Sequence, residues 1–343
     1  MATYKFTTVQ QNYLLSFYSS LEFQTSFFSK KLNLKNMLNR YRGCFVGLAI
    51  GDALGAPLEF LKRDSYEPLT HYQEGGVHAM SKGEYTDDTS MALCLAQSLL
   101  EKRGFDAYDQ LQKYVQWLYS GYMSTRKEMF DVGITIEESL EYFLKTGETK
   151  TYLRDEKYSG NGALMRLAPV VLFYAQDIKK AIFFAKESAL TTHASILVSD
   201  SCRYFAYILV LLLYGVQKSE LFGIKGIKQM EKFFQAQPLH PKVQAVADGS
   251  FIHKQRDQIK SSGYVIDTLE ASLWAFYKGK NFKESLLLAV NLGDDADSIG
   301  AVTGQLCGAF YGFSNIDKKL FLELYNHNFI DLIAKKLYRF KIK

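Results

Sequence analysis

Apolar residues recur along most of the chain at a spacing of three to four residues, while alternation of single apolar and polar residues is rare. The first pattern is typical of amphipathic α-helices and the second of β-strands. Helical spacing covers residues 105–119, 134–144, 179–190, 264–277, 282–290 and the tail from Lys318. We therefore expect an all-α fold made of a single many-helix domain.

Two other segments stand out by their hydropathy. Residues 204–216 form a 13-residue apolar run. A membrane span needs about 20 apolar residues, so this run predicts a buried helix instead. Residues 234–263 are polar and contain Pro238 and Pro241, which predicts a long surface connection.

Two of the predicted helical segments carry a glycine at every fourth position. The first series is Gly43, Gly47, Gly51 and Gly55, and the second is Gly300, Gly304, Gly308 and Gly312. A glycine inside a helix costs about 1 kcal/mol relative to alanine, so four in succession need a compensating interaction. The close approach of another helix supplies one. We therefore expect the two glycine-lined helices to pack against each other in the core, with their axes about 8–10 Å apart.

Two short acidic clusters, far apart in the sequence, each precede an apolar helical stretch. They are Thr86-Asp87-Asp88-Thr89 and Gly293-Asp294-Asp295-Ala296-Asp297-Ser298. One carboxylate in each cluster could serve as a helix N-cap, which leaves the others without a role. Neighbouring carboxylates repel one another unless a cation neutralises them, and oxygen-only ligands suit Mg²⁺, Mn²⁺ or Ca²⁺. If the clusters converge in the fold, they could hold two ions.

Composition narrows the class of protein. The 343 residues include 41 Lys and Arg against 36 Asp and Glu, a net charge of +5, and no block of basic residues indicates a nucleic-acid partner. The four cysteines lie in apolar runs without CxxC spacing, which predicts reduced core residues in a cytoplasmic protein. Residues 1–36 lack the pattern of a secretory signal. We expect them to be a peripheral or disordered extension, followed by one folded domain over 37–343.

Seven stretches resemble, in the same order, the motifs of the ADP-ribosylglycohydrolase family, and most closely its bacterial branch that includes dinitrogenase reductase-activating glycohydrolase. They are GCFVGLAIGDALGAPLEF (43–60), GEYTDDTSMAL (83–93), FDVGIT (130–135), SGNGALMRLAPV (159–170), TTHAS (191–195), SGYVIDTLEASLWAF (262–276) and NLGDDADSIGAVTGQLCGA (291–309). The resemblance implies an all-α orthogonal bundle with two divalent cations, Mg²⁺ or Mn²⁺, in a cleft. It also implies hydrolysis of the glycosidic bond between ADP-ribose and an acceptor, in an ADP-ribosylated protein or a small ADP-ribose conjugate. We expect a monomer, without a nucleic-acid partner or a membrane span.

The resemblance also identifies candidate site residues. The candidate metal ligands are Thr86, Asp87, Asp88, Asp295, Asp297 and Ser298. Ser298 stands where the family usually has threonine and keeps the oxygen ligand. Glu59 and Asp131 match two carboxylates near the reacting ribose, and they compete for the acid/base role. The candidate substrate contacts are Gly133, Asn161, Gly162 and His193.

Each of these assignments has a structural alternative. Glu59 could be a surface residue after a helix, and Asp131 could cap the helix that begins near Ile134. His193 could be a hydrogen-bonded core histidine, and Asn161 a turn former. The remaining histidines, His71, His78, His240, His253 and His327, lack the spacing of metal ligands and receive no role.

Other functions are compatible with parts of the pattern. An EF-hand would need suitable ligands at positions 299 and 306, where the chain has Ile299 and Leu306. An all-α Mg²⁺-dependent prenyl-diphosphate enzyme would show a DDxxD spacing that this chain lacks. A non-catalytic ADP-ribose binder would not need the two candidate acid/base carboxylates. The segment GNGALMRLAPV favours arginine as the acceptor, with serine-linked and other ADP-ribose conjugates as alternatives.

Overall fold

Helices make up the regular structure of residues 34–340, the part of the chain that this computed structural model describes. The fifteen α-helices are α1 Leu34–Gly55, α2 Asp87–Lys102, α3 Ala107–Ser120, α4 Ile134–Thr146, α5 Ala168–Tyr174, α6 Ile178–Ala189, α7 Ile196–Leu213, α8 Lys218–Leu221, α9 Ile224–Phe234, α10 Pro241–Ala247, α11 Val265–Lys278, α12 Phe282–Val290, α13 Ala296–Tyr311, α14 Lys318–Glu323 and α15 His327–Arg339. Short 3₁₀ helices occupy Ala56–Leu58, Glu156–Tyr158, Arg256–Gln258 and Phe313–Asn315. No β-strand occurs between residues 34 and 340, so the predicted all-α fold is confirmed.

Five helices were predicted from apolar spacing, and both ends of each lie within two residues of the ends of an observed helix. The predicted ranges are 105–119, 134–144, 179–190, 264–277 and 282–290. The predicted extension, residues 1–36, falls almost entirely outside the described residues. Its last three residues belong to α1. The four cysteines are buried and unpaired, as predicted.

The two glycine-lined helices, α1 and α13, are antiparallel and in direct backbone contact. A Cβ atom built on Gly47 would lie 2.3 Å from the carbonyl oxygen of Gly304, and one built on Gly55 would lie 2.3 Å from that of Ala296. No side chain larger than hydrogen fits between backbones this close, which explains the four-residue repeat and confirms the predicted packing. Because Gly55 ends α1 and Ala296 begins α13, this contact holds the second acidic cluster beside the C-terminal end of α1.

The predicted buried helix at 204–216 is longer than expected and begins at Ile196. Its first two turns contain Asp200 and Arg203, which form a buried ion pair with a distance of 2.7 Å between Nη1 and Oδ1. Because these two residues are charged, the apolar pattern did not show that the helix begins before residue 204. By length and composition α7 could cross a membrane, but 94% of it is buried inside the protein.

The prediction of a surface connection over 234–263 is wrong in part. Residues Pro241–Ala247 form α10, which buries Val243 and Val246. The side chain of His240 accepts a hydrogen bond from the backbone N–H of Lys242, so it caps this helix. Proline is well tolerated in the first turn of a helix, and Pro241 here begins a helix rather than breaking one.

Candidate active site

The two acidic clusters meet in the fold. The hydroxyl of Thr86 donates to Oδ2 of Asp297 at 3.3 Å, and the hydroxyl of Ser298 donates to Oδ1 of Asp88 at 3.3 Å. Each bond joins one cluster to the other, and together they place the N-terminal turns of α2 and α13 side by side. The sequence predicted the residues, and the packing of α13 on α1 brings them together.

A third element, α1, holds the first cluster in place through Asp52. One carboxylate oxygen of Asp52 accepts from the backbone N–H of Thr86 at 2.9 Å and, at 3.0 Å, shares the single hydroxyl proton of Thr86 with Asp297. The other accepts from the backbone N–H and the hydroxyl of Thr89. Asp52 therefore caps α2 from a neighbouring helix. Asp52 received no role from the sequence, although it directly follows Gly51 of the first glycine series.

The carboxylates of the clusters are not used as local helix caps. Thr86 and Asp295 are the N-cap residues of α2 and α13, and neither side chain caps its own helix. Oδ2 of Asp88 and Oδ1 of Asp297 are buried and have no hydrogen-bond partner among the described residues. The interpretation of these acids as N-caps is therefore wrong, and two buried oxygens are left for another ligand.

The electrostatics of the cluster favour a bound cation. Burial raises the pKa of Asp87, Asp88 and Asp297 well above the usual range of carboxyl groups, and the charges of nearby carboxylates raise each pKa further. A dication would neutralise these charges and satisfy the two unpartnered oxygens. Carboxylate and hydroxyl oxygens are the ligands that Mg²⁺ and Mn²⁺ prefer, so the residues present fit the predicted ions.

Asp295 is held by residues from two other parts of the chain. The side-chain amide of Asn161 donates to Oδ2 of Asp295 at 2.7 Å and to the hydroxyl of Thr268 at 2.9 Å. The backbone N–H of Asp295 donates to the carbonyl of Ser261. Asn161 therefore orients a candidate metal ligand, a contact that its role as a turn former does not explain.

A cleft of about 410 Å³ opens beside the clusters. The predicted site residues that line it are Glu59, Asp87, Asp131, Gly133, Asn161, Gly162, His193, Asp295, Asp297 and Ser298. Thr86 and Asp88 lie behind this surface and are almost completely buried. The helix α4 begins at the cleft with Gly133 as its N-cap and no side-chain cap, so its first N–H groups are available to an anion.

Glu59 and Asp131 lie at the acidic end of the cleft. Glu59 is only 5% exposed, so its interpretation as a surface residue is wrong. Burial and the charges of Asp131 and Asp295 raise the pKa of Glu59 to about 9. Asp131 is not a helix cap either, because Gly133 occupies the N-cap position of α4. Burial raises the pKa of Asp131 as well.

His78, which received no role from the sequence, contacts both carboxylates. Its Nε2 lies 3.0 Å from Oε2 of Glu59 and 3.8 Å from Oδ2 of Asp131. Tertiary folding produces this group, because Glu59 and His78 lie in the connection between α1 and α2, Asp131 lies in the loop before α4, and no spacing in the sequence marks His78.

His193 closes the cleft behind the glycine turn at Gly162. Its Nδ1 is hydrogen-bonded to the hydroxyl of Thr192 at 2.8 Å, and a Cβ atom on Gly162 would lie 2.9 Å from its ring. Burial and the charge of Arg166 lower the pKa of His193 to about 3, so the ring is neutral. Arg166 is itself buried and donates to the carbonyl of Gly162 and to Thr192, both at 2.6 Å. His193 is thus a hydrogen-bonded buried histidine that also lines the cleft.

Comparison with known proteins identifies relatives of the whole described chain. The family model described as ADP-ribosylglycohydrolase matches residues 33–341. ADP-ribosylarginine hydrolase Tri1 of Serratia proteamaculans (strain 568) is 38% identical over 301 residues, which cover 88% of this chain and 79% of that protein. ADP-ribosyl-[dinitrogen reductase] glycohydrolase of Rhodospirillum rubrum is 31% identical over 291 residues, covering 81% of this chain and 87% of that one. A solved structure titled "ADP-ribosylglycohydrolase-related protein complex" aligns with a TM-score of 0.78 at 38% identity, over 90% of this chain and 100% of that one.

Proposed function

The chain belongs to the ADP-ribosylglycohydrolase family, and on this premise we propose that it removes ADP-ribose from arginine side chains of proteins with the help of two divalent cations. The relative from Serratia proteamaculans is named for ADP-ribosylarginine and the one from Rhodospirillum rubrum for ADP-ribosylated dinitrogen reductase. The first name supports arginine as the acceptor, and the second supports a protein substrate.

The observation that carries the proposal is the pair of hydrogen bonds between the two acidic clusters. Because Thr86 contacts Asp297 and Ser298 contacts Asp88, oxygens from both clusters surround one small volume beside the cleft. A cation in this volume would provide a partner for Oδ2 of Asp88 and Oδ1 of Asp297, which are buried without one.

The residues that would hold the ions are Thr86, Asp87, Asp88, Asp295, Asp297 and Ser298. When bound, two such ions supply positive charge that orients ribose hydroxyls and lowers the pKa of a coordinated water. Asp52 and Asn161 keep the ligands of the two clusters in position, through Thr86 and Asp295 respectively. This fixed geometry lowers the entropy cost of bringing water and the ribose together.

Glu59 is the group best placed to move the proton of the reaction. Hydrolysis breaks the bond between ribose C1 and the guanidine nitrogen, forms a bond from C1 to the water oxygen, and transfers one water proton to the leaving nitrogen. Burial raises the pKa of Glu59, which favours a protonated carboxyl that can donate to the nitrogen and then accept a proton from water. Asp131 is less buried than Glu59, and its Oδ2 lies 3.8 Å from Nε2 of His78. It places a second carboxylate at this end of the cleft.

The backbone lining of the cleft suits the diphosphate of ADP-ribose. The uncapped N-terminus of α4 and the glycine turn at Gly162 present backbone N–H groups, which bind anions without a charged side chain. His193 is neutral because it is buried, so it can hydrogen-bond to the substrate there. It does not add a second titrating group to Glu59.

A panel of mono-ADP-ribosylated peptides tests the proposal. We expect release of ADP-ribose from an arginine-linked peptide in Mg²⁺ or Mn²⁺, little release from a serine-linked peptide, and none in EDTA. Turnover of the serine-linked peptide alone would move the acceptor assignment to serine. Tight binding of ADP-ribose without turnover of any peptide would identify a non-catalytic binder.

A further inference from the structure

A group of three donor atoms lies at the acidic end of the cleft, beside the oxygen-only ligands of the two clusters. The atoms are Oε2 of Glu59, Nε2 of His78 and Oδ2 of Asp131, and all lie within 4.8 Å of one another. Nε2 of His78 is 3.0 Å from Glu59 and 3.8 Å from Asp131. Two ligands of a tetrahedral zinc ion, each bound at about 2.0–2.2 Å, lie about 3.3–3.6 Å apart. The observed separations bracket this value.

The atoms of this group are not satisfied by one another. Oε2 of Glu59 and Nε2 of His78 are buried and make no hydrogen bond among the described residues, although they are close. The side chain of Glu59 is only 6% exposed, so this oxygen is shielded from bulk water. An ordinary histidine–carboxylate pair would align its N–H with the oxygen. A cation between the two atoms would instead satisfy both at once.

The imidazole gives this group a different metal preference from that of the two clusters. An oxygen-only set suits Mg²⁺ or Mn²⁺, whereas one histidine with two carboxylates suits Zn²⁺ and other late first-row ions, which also bind more tightly to most sites. The thiol groups of the chain do not compete for zinc at the surface, because all four cysteines are buried.

We propose that Glu59, His78 and Asp131 form a third cation site, which takes a transition-metal ion such as Zn²⁺ beside the two magnesium or manganese positions. An ion at this site occupies the carboxylates of Glu59 and Asp131, so neither can exchange a proton with substrate. The bound metal therefore inhibits hydrolysis. This inhibitory effect rests on the proposed function, while binding of the metal does not.

Zinc binding by the full-length protein in saturating Mg²⁺ tests the site directly. We expect His78→Gln to bind one Zn²⁺ fewer per chain than the wild type, or to bind that ion at least about 100-fold more weakly. His71→Gln is the matched control, because His71 also faces a carboxylate, with Nδ1 3.5 Å from Oε2 of Glu323, but lies outside this group. It should bind zinc as the wild type does. Equal zinc stoichiometry and affinity in His78→Gln would overturn the proposal and leave His78 as an ion-pair partner only.

A second measurement needs no variant. With one equivalent of Zn²⁺ bound to the wild type, X-ray absorption should show imidazole nitrogen at the metal, since the two acidic clusters offer oxygen only. A spectrum with oxygen ligands alone would contradict the site even if His78→Gln failed to fold.

The inhibitory consequence is measured last, on the arginine-linked peptide. We expect stoichiometric Zn²⁺ to inhibit the wild type and His71→Gln, and His78→Gln to need at least about tenfold more zinc for the same inhibition. If no peptide is hydrolysed but zinc binds with an imidazole ligand, the proposed function fails and the metal site stands. Zinc binding at the site without inhibition would overturn the inhibitory role alone.

Discussion

Gly51 of α1 and Gly300 of α13 face each other with no room for a side chain between them. A Cβ atom on Gly51 would lie 2.0 Å from the carbonyl oxygen of Gly300, and one on Gly300 would lie 2.2 Å from that of Gly51. Such distances are far below any van der Waals contact, so an added methyl group must push the helices apart. The contact lies one helical turn from Gly55 and therefore controls the position of the acidic cluster at Asp295–Ser298.

Gly51→Ala should therefore reduce both stability and activity. We expect a loss of about 1–3 kcal/mol or more in the free energy of unfolding, measured by urea denaturation, and a larger relative loss of turnover. Gly104→Ala is the control, because a Cβ atom there meets only the hydroxyl of Tyr174 at 3.6 Å. It should change stability by no more than about 0.5 kcal/mol. Equal effects of the two substitutions would show that the α1–α13 contact can relax freely.

Asp52→Asn tests the cap that α1 provides for α2. The amide has one acceptor oxygen in place of two, so the N–H groups of Thr86 and Thr89 cannot both keep their partners. We expect a cost of about 1–3 kcal/mol in stability together with weaker Mg²⁺ binding, because Thr86 begins the first ligand cluster. Calorimetric titration with Mg²⁺ and thermal unfolding measure the two effects.

The matched control for that cap is Asp177→Asn. Asp177 caps α6 by accepting from the N–H groups of Lys179 and Lys180, far from the cleft. Asparagine caps helices about as well as aspartate, so this variant should keep wild-type stability and metal affinity. If Asp52→Asn behaved like the control, the carboxylate of Asp52 would have no special role.

Removal of metal should reverse the order of stability between the wild type and Asp297→Asn. In EDTA the variant should be at least as stable, because it removes one buried carboxylate from a set of like charges. With Mg²⁺ at about 100 times its dissociation constant, the wild type should gain about 2.7 kcal/mol and the variant much less. Thermal unfolding with and without Mg²⁺ gives both comparisons.

Asp155→Asn provides the control for charge removal, since Asp155 is an exposed acid outside the cleft. It should respond to Mg²⁺ as the wild type does. An equal stabilisation of Asp297→Asn by Mg²⁺ would mean that Asp297 is not a ligand.

His193 should make the protein less stable as the pH falls below about 6.5. The unfolded residue binds a proton near that pH, whereas in the folded state its pKa is about 3. Between these values the unfolded state holds up to one more proton, so stability falls by up to about 1.4 kcal/mol per pH unit on acidification. His193→Asn should show a shallower dependence. The difference between the two proteins, measured by urea denaturation at pH 7, 6 and 5, isolates this group from the carboxyls, and equal slopes would refute it.

The sequence alone determined the all-α fold, the main helices and the residues of the two acidic clusters. Apolar spacing reports which face of a helix is buried, so helices such as α12 were predicted to the residue. The glycine repeats indicated a close helix contact for a similarly local reason, because only close packing offsets the cost of Gly47 or Gly304 inside a helix. Local patterns failed where buried charges interrupt the apolar spacing, as in the Asp200–Arg203 pair at the start of α7.

Only the tertiary structure decided how the site is assembled. Asp52 caps a helix that begins 35 residues later, and His78 joins Glu59 to Asp131 across separate loops. No periodicity records such contacts, because they depend on which helix ends meet after α13 has packed on α1. Burial then shifts the pKa of each group, upward for the acid Glu59 and downward for the base His193. The sequence alone does not show that these two side chains are buried.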